Sequence, residues 1–198
     1  MYVVHGSVRS RAMRVMWVLE ELGQPYELNA VAPRSPEALA LNPTGKIPAL
    51  TDEGEVLTDS VAIMTFLADR HGALTHPAGT HARARQDAVT NMVLDEFDAI
   101  LWSAAKHTFV LPEEERRPEV KEALRAEFAR SERMLEDVLA RSGGPWLTGE
   151  DFLVCDVLAA HCLGWAVAAK FGPASRTLSA YAARARARPA YERAAAKG

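Results

Sequence analysis

The sequence predicts an α/β N-terminal domain followed by an all-α helical-bundle domain. Three observations carry this. Within the first 71 residues, short β-branched or aromatic runs alternate with runs whose apolar residues recur at helical spacing. Beyond Gly79 the apolar recurrence is helical, and no segment has the period-two pattern of a strand. Finally, 198 residues with 48% hydrophobic and 25% charged side chains can bury a sizeable core.

Tyr2 to His5, followed by Gly6, reads as the first strand. Ser10 is placed to cap a helix from Arg11 to Leu22, with Val15, Val18, Leu19 and Leu22 on one face and Gly23 as the stop. Pro25 precedes a second strand over Tyr26 to Val31, which completes a β-α-β unit and implies a parallel strand pair. Pro33 to Ala40 is polar and proline-interrupted, a short irregular helix at most. Ile47 to Thr51 and Glu55 to Leu57 flank the tight turn Asp52-Glu53-Gly54 and read as a hairpin. Thr58 or Asp59 opens a helix to about His71, with Val61, Ile63, Met64, Phe66 and Leu67 as core candidates. The order β-α-β-(α)-β-β-α is that of a thioredoxin-like domain.

The linker predicted at 73–80 contains Pro77 and Gly79. After it, Ala82 to about His107 carries Val89, Met92, Val93, Phe97, Ile100 and Leu101 along one face. Pro112 and Glu113 start the next helix, with Val120, Leu124, Phe128, Leu135, Val138 and Leu139 inward and Gly143-Gly144-Pro145 as its end. Phe152 to Phe171 is apolar almost all round, as a helix central to a bundle is. Two Ala/Arg-rich helices broken at Pro189 follow. The expected domains are 1–72 and 81–198.

Composition narrows the function. A formal net charge of −3 gives no case for nucleic acid as a bulk partner. The longest apolar run, Val157 to Ala169, is interrupted by His161 and too short to span a bilayer, so no membrane partner is expected. Two cysteines, Cys155 and Cys162, make no disulfide framework and are expected in the core; no Cys-x-x-Cys follows the first strand. The six histidines show no metal-ligand spacing, so no metal is expected. No signal sequence opens the chain, and a cytoplasmic location is the default.

The candidate residues lie in the first domain. Ser10 stands at a helix N-terminus, where N–H groups and the helix dipole favour an anion, and Arg9, Arg11 and Arg14 add positive charge. Its hydroxyl is suited to donate to a thiolate, although a plain helix cap accounts for it too; Ser7 is the rival. Pro48 cannot serve a central strand and fits a strand entrance, where a cis Ile47-Pro48 bond frees the Ile47 N–H and C=O for an extended peptide. A Pro/Gly turn is the bland alternative. Lys46 adds a cation beside that edge, suited to a carboxylate. Asp59-Ser60 opens a helix: Asp59 is suited to an ammonium and Ser60, with backbone N–H groups, to a carboxylate, while capping again explains both.

Three stretches in order say more than their parts. They are Ser10-Arg11-Ala12-Met13-Arg14-Val15 with Trp17 to Glu27, then Asn42-Pro43-Thr44-Gly45-Lys46-Ile47-Pro48-Ala49-Leu50, then Leu57-Thr58-Asp59-Ser60-Val61-Ala62-Ile63. Across residues 1–71 the chain resembles the glutathione S-transferase family in its bacterial and fungal serine-type branch. More loosely, the resemblance continues through Pro145-Trp146-Leu147-Thr148-Gly149, Phe152 and Asp156 to Arg188-Pro189-Ala190-Tyr191.

The resemblance implies glutathione as a co-substrate, with no prosthetic group. Its cysteine backbone would pair with Ile47 before a cis Pro48, and its γ-glutamyl end would meet Asp59 and Ser60. Lys46 would lie near a terminal carboxylate, Arg11 beside the thiolate, and Ser10 would donate to that thiolate for attack on a small apolar electrophile. A homodimer is implied as well. One departure is Leu153, where the family usually has a Ser or Thr helix cap three residues before the aspartate; Asp151 is the expected substitute. Rival readings are a glutathione-binding stress protein with little turnover, and a glutathione-dependent peroxidase, isomerase or dehalogenase. Trp102, His107, Phe109 and Trp165 fall where the second-substrate pocket would be, although core packing explains each.

Overall fold

Short strands that alternate with amphipathic helices can bury their apolar faces only by layering helix on sheet, and the first part of the chain does this. The computed structural model describes residues 1–172 and 175–198. Two compact units emerge: Met1–Thr80 with Arg186–Gly198, and His81–Ala185.

In the first unit, strands β1 (Tyr2–Gly6), β2 (Tyr26–Ala30), β3 (Ala49–Asp52) and β4 (Glu55–Thr58) form one sheet in the order β2-β1-β3-β4. β1 pairs parallel with β2 across helix α1 (Ala12–Glu21), and antiparallel with β3, which closes the hairpin to β4. Helix α2 (Pro36–Leu41) is regular rather than irregular: the Ser35 hydroxyl accepts from the Ala38 N–H at 3.2 Å, and Pro36 occupies the first turn, where its missing N–H costs nothing. Helix α3 (Ser60–His71) ends on Gly72 in the left-handed conformation. Val4, Val15, Trp17, Leu19, Leu50, Ile63 and Leu67 are all fully buried and make the core.

His5, buried within β1, carries a pH-dependent part of this unit's stability. The Asn29 amide donates to its Nδ1 at 3.1 Å, so its Nε2 is the protonated nitrogen, facing the Thr51 hydroxyl at 2.8 Å. That arrangement needs a neutral ring, and burial lowers the His5 pKa from its ordinary value. In the unfolded chain the ring takes up a proton near pH ~6.5. His5 therefore supports folding above that pH and withdraws support as pH falls toward its lowered value. We expect the urea midpoint to drop more between pH 7.5 and 5.5 in the parent than in His5→Gln; equal drops would exclude His5 as the cause.

Among its described residues the second unit is built of helices joined by turns, with one isolated bridge between Trp146 and Gly149. Helix α4 (His81–Val93) runs through a π turn at Leu94–Asp98 into α5 (Ala99–Ala105), which ends in a second π turn at Lys106–Val110. The helix expected from Pro112 instead begins later: Glu113–Glu115 form a single 3-10 turn, and α6 spans Val120–Arg141. Pro118 explains the delay, because the residue before a proline is pushed out of helical geometry. Helix α7 (Val154–Ala168) is buried on most of its surface, both cysteines included. Phe97, Phe128 and Phe171 stack edge to face in sequence, at 5.2 and 5.8 Å between centroids.

Leu153 precedes α7 and cannot cap it. Asp156 takes over: one carboxylate oxygen accepts from the Leu153 N–H at 3.0 Å, the other from the Leu147 N–H at 3.0 Å and the Tyr181 hydroxyl at 2.8 Å. Asp151, the expected substitute, is exposed.

The chain's last segment departs from the expectation of a helical domain running to residue 198. Helix α8 (Arg176–Arg186) leads into α9 (Pro189–Ala195), and α9 packs on α1. Arg188 holds Glu21 through two bonds of 2.6 and 2.7 Å, Trp17 meets Tyr191 edge to face at 4.8 Å, and Arg193 bonds both the carboxylate and the carbonyl of Glu20. Arg184 bonds the Pro145 carbonyl. Arg188 is thus half-buried and anchored, while Arg184 stays exposed as it bonds that carbonyl.

Candidate functional site

Sheet register brings the three singled-out stretches to one end of the first unit. His5 of β1 faces Ala49 of β3, so the chain leaving β1 toward Ser10 passes beside Ile47 and Pro48. Ala49 in turn faces Thr58 of β4, which places Asp59 and Ser60 beside the same entrance.

The Ile47-Pro48 bond is cis, and β3 begins only at Ala49. Ile47 therefore lies outside the sheet ladder, and its backbone N–H and C=O are not committed to it. The preceding turn is built by Asn42, whose side-chain oxygen accepts from the Thr44 N–H at 3.0 Å and hydroxyl at 2.9 Å while its amide donates to the Lys46 carbonyl at 3.1 Å. Lys46 is exposed at the end of this turn. Arg34 donates its N–H to the Gly45 carbonyl at 2.8 Å, a tie between two loops that local sequence does not signal.

Ser10 is half-buried before α1. Its hydroxyl donates to the Ser7 carbonyl at 2.8 Å and accepts from the Ala12 N–H at 3.1 Å, so it does cap the helix start. Arg11, also half-buried, follows it. Gly6 permits the crowding here. A Cβ on Gly6 would lie 2.7 Å from the Ala12 Cβ and 3.6 Å from both the Ser10 Oγ and the Ile47 Cδ1, at a φ of +150°. We expect Gly6→Ala to cost about 1–3 kcal/mol, read as a lower urea midpoint; an unchanged midpoint would mean that the loop yields freely.

Asp59 caps α3, its Oδ1 accepting from the Val61 N–H at 2.8 Å and the Ala62 N–H at 3.2 Å. Its φ of +70° is unusual for a residue with a side chain, and such strain costs on the order of 1–3 kcal/mol. The two capping bonds help hold it while the carboxylate stays exposed. Ser60 is only 2% exposed, and its Oγ accepts from the Nη1 of Arg14 at 3.2 Å. Arg14 is fully buried. Sequence reading counted Arg14 only as nearby positive charge and missed this bond, because its partner is 46 residues away and leaves no local signal.

This end of the sheet collects a helix N-terminus with a hydroxyl, an uncommitted extended backbone before a cis proline, and an acid-hydroxyl pair at a second helix start. Trp102, His107 and Trp165 of the second unit are half-buried and Phe109 is exposed. Among the described residues no cluster of three or more His, Cys, Asp or Glu is arranged to hold a metal, and no helix is long and apolar enough to cross a membrane.

A thioredoxin-like α/β unit in the same chain as an all-helical unit defines the structural class. Known proteins narrow it further. Residues 9–70 match the family described as glutathione S-transferase, N-terminal domain. Glutathione S-transferase 3 of Schizosaccharomyces pombe is 38% identical over 82 residues, 39% of this chain and 34% of that protein. A maleylacetoacetate isomerase of Rhizobium meliloti is 40% identical over 90 residues, 42% of each chain. These matches thus span well under two thirds of the relatives' lengths. Solved structures align end to end: a glutathione transferase from Methylococcus capsulatus at 28% identity and TM-score 0.86, covering 100% of this chain and 98% of that one. A theta-class enzyme from Xanthomonas axonopodis pv. citri, solved with glutathione bound, aligns at 26% identity and TM-score 0.77, covering 98% and 96%. Residues 9–70 thus carry a glutathione S-transferase N-terminal domain, and the described chain is similar in fold to solved glutathione transferases.

Proposed function

We propose that this protein is a glutathione transferase that stabilises the glutathione thiolate for attack on a small apolar electrophile. The observation that carries this reading is the convergence of Ser10, Ile47-Pro48 and Asp59-Ser60 at one end of the sheet. Glutathione's cysteine lies extended along Ile47 and exchanges backbone hydrogen bonds with its N–H and C=O. The ammonium of the γ-glutamyl group pairs with Asp59, its carboxylate with Ser60, and Lys46 faces the glycine carboxylate. The Ser10 hydroxyl turns from the Ser7 carbonyl to the sulfur, with Arg11 and the helix start adding positive potential. No covalent bond to the protein is formed; the work is orientation and charge stabilisation. We further propose a homodimer in the cytoplasm, where glutathione and both free cysteines stay reduced.

The test is an ultraviolet titration of the bound thiolate. A free thiol titrates near pH ~8.5, and each unit of lowering takes about 1.4 kcal/mol of preferential thiolate stabilisation. A bound thiol titrating well below its free value supports the reading; binding without any lowering would leave a glutathione-binding protein. The Rhizobium relative favours a second reading, glutathione-dependent isomerisation. In that case glutathione is recovered after each turnover, whereas a transferase consumes it.

A further inference from the structure

We propose that Arg14 is a positioning residue that aims the Ser60 hydroxyl at an anionic group, and so selects ligands carrying a carboxylate at that end of the site. This rests on the glutathione reading above and deepens it. Ser60 has one proton and two acceptor lone pairs. A guanidinium has five donors and no acceptor, so the bond of 3.2 Å between Arg14 Nη1 and Ser60 Oγ can run only from arginine to serine. The serine proton is thereby turned elsewhere, and among the described residues no acceptor takes it. Both partners are buried, Arg14 fully and Ser60 to 2% exposure. A buried hydroxyl whose proton lacks an acceptor is costly, and this one sits in the first turn of a twelve-residue helix whose Val61 and Ala62 N–H groups Asp59 already caps. An incoming carboxylate supplies the missing acceptor and meets the nearby guanidinium charge and the positive end of the helix dipole together. An ammonium at the same point would meet a donor and a like charge. The arrangement accordingly discriminates between the two charges of an amino-acid head group, and leaves the ammonium to Asp59.

The same arginine ties the two halves of the site. Arg14, in the first turn of α1 and four residues after Ser10, reaches the start of α3, so one side chain links the helix that follows Ser10 to the helix that opens at Ser60.

The experiment compares glutathione with 4-aminobutanoyl-cysteinyl-glycine, the same tripeptide without the γ-glutamyl α-carboxylate, by calorimetric titration. The parent should bind glutathione more tightly than the analogue. Ser60→Ala and Arg14→Lys should each weaken glutathione binding by about 10-fold or more and leave the analogue within about 2-fold. The double variant should be no worse than the weaker single one, since both changes remove one device. Should Arg14→Lys fail to fold, the parent still decides the matter: nitrogen-15 resonances of the Arg14 guanidinium should move on adding glutathione and stay fixed on adding the analogue. Equal weakening toward both peptides, full additivity in the double variant, or guanidinium resonances blind to the carboxylate would each overturn the proposal and assign Arg14 to packing. A parent that binds neither peptide overturns the glutathione reading itself, which is a separate result from a parent that binds glutathione while Arg14→Lys keeps full selectivity.

Discussion

Replacing Ser10 with alanine lowers the turnover of the glutathione-dependent reaction by about 10- to 100-fold, with the glutathione KM nearly unchanged. The size follows from what is removed: one hydroxyl donor to a charged sulfur, a hydrogen bond worth about 1.5–3 kcal/mol. The selectivity follows from where it acts. On the proposed reading Ile47, Asp59 and Ser60 would hold the peptide by its backbone and head group, away from the sulfur, so ground-state binding should survive while the thiolate loses support. In the same variant the bound thiol titrates closer to its free value of about 8.5. The Ala12 N–H, which Ser10 Oγ accepts at 3.1 Å, is released and remains as a partial substitute. That is why the loss is bounded. Losing the cap costs about 1 kcal/mol of stability, so a thermal melt must accompany the kinetics. Ser7→Ala is the matched control: the Ser7 carbonyl, not its side chain, meets Ser10, and Ser7→Ala should leave turnover within about 2-fold. Normal turnover in Ser10→Ala with loss in Ser7→Ala would exchange the two roles; normal turnover in both would remove the serine from the chemistry.

Local pattern made the first unit legible. Strand and helix order, the hairpin, the helix end near His71 and the proline at the strand entrance all follow from residues close in sequence, and the structure keeps each of them. Asp59, Ser60, Ile47 and Ser10 were readable as a group because each sits at the start or edge of an element that the sequence already marks. What stayed hidden depends on partners far apart in sequence. Nothing near Arg188 indicates that it will hold Glu21, and nothing near Arg14 indicates Ser60. Arginines spaced along an Ala-rich helix look solvated until the facing acid is known. The same holds inside α6, where Ser131 and Glu132 are buried although their types suggest exposure; Ser131 donates to Glu96 at 3.1 Å, a residue on another helical segment. The two π turns on either side of α5 escaped notice because one extra residue in a turn shifts the apolar stripe without breaking it.

Asp156 carries the largest expected effect on stability. Its carboxylate is fully buried and receives four donors, the Leu147 N–H, the Leu153 N–H, the Tyr181 hydroxyl and, at 3.8 Å, the Cys155 thiol. Asp156→Ala strands the two N–H groups and the Tyr181 hydroxyl at once in a dry interior, besides the weaker thiol donor, and each stranded N–H or O–H donor costs about 1–3 kcal/mol. Some of that is returned, because burial penalises the charged carboxylate and raises its pKa despite its hydrogen-bond donors. By linkage, this group's own contribution is greatest below the ordinary carboxylate range and declines as pH rises through the raised value. The balance still favours the aspartate, since a water-free alanine cavity offers the N–H groups nothing. We expect a net loss of about 3 kcal/mol or more, seen as a clearly lower urea midpoint. Tyr181→Phe removes only the hydroxyl from a buried ring and should cost about 1 kcal/mol. A loss in Asp156→Ala no greater than that in Tyr181→Phe would mean that the two backbone N–H groups find other acceptors, and that the start of α7 is held by the packing of Trp146 on Phe152, 4.7 Å apart, rather than by the carboxylate.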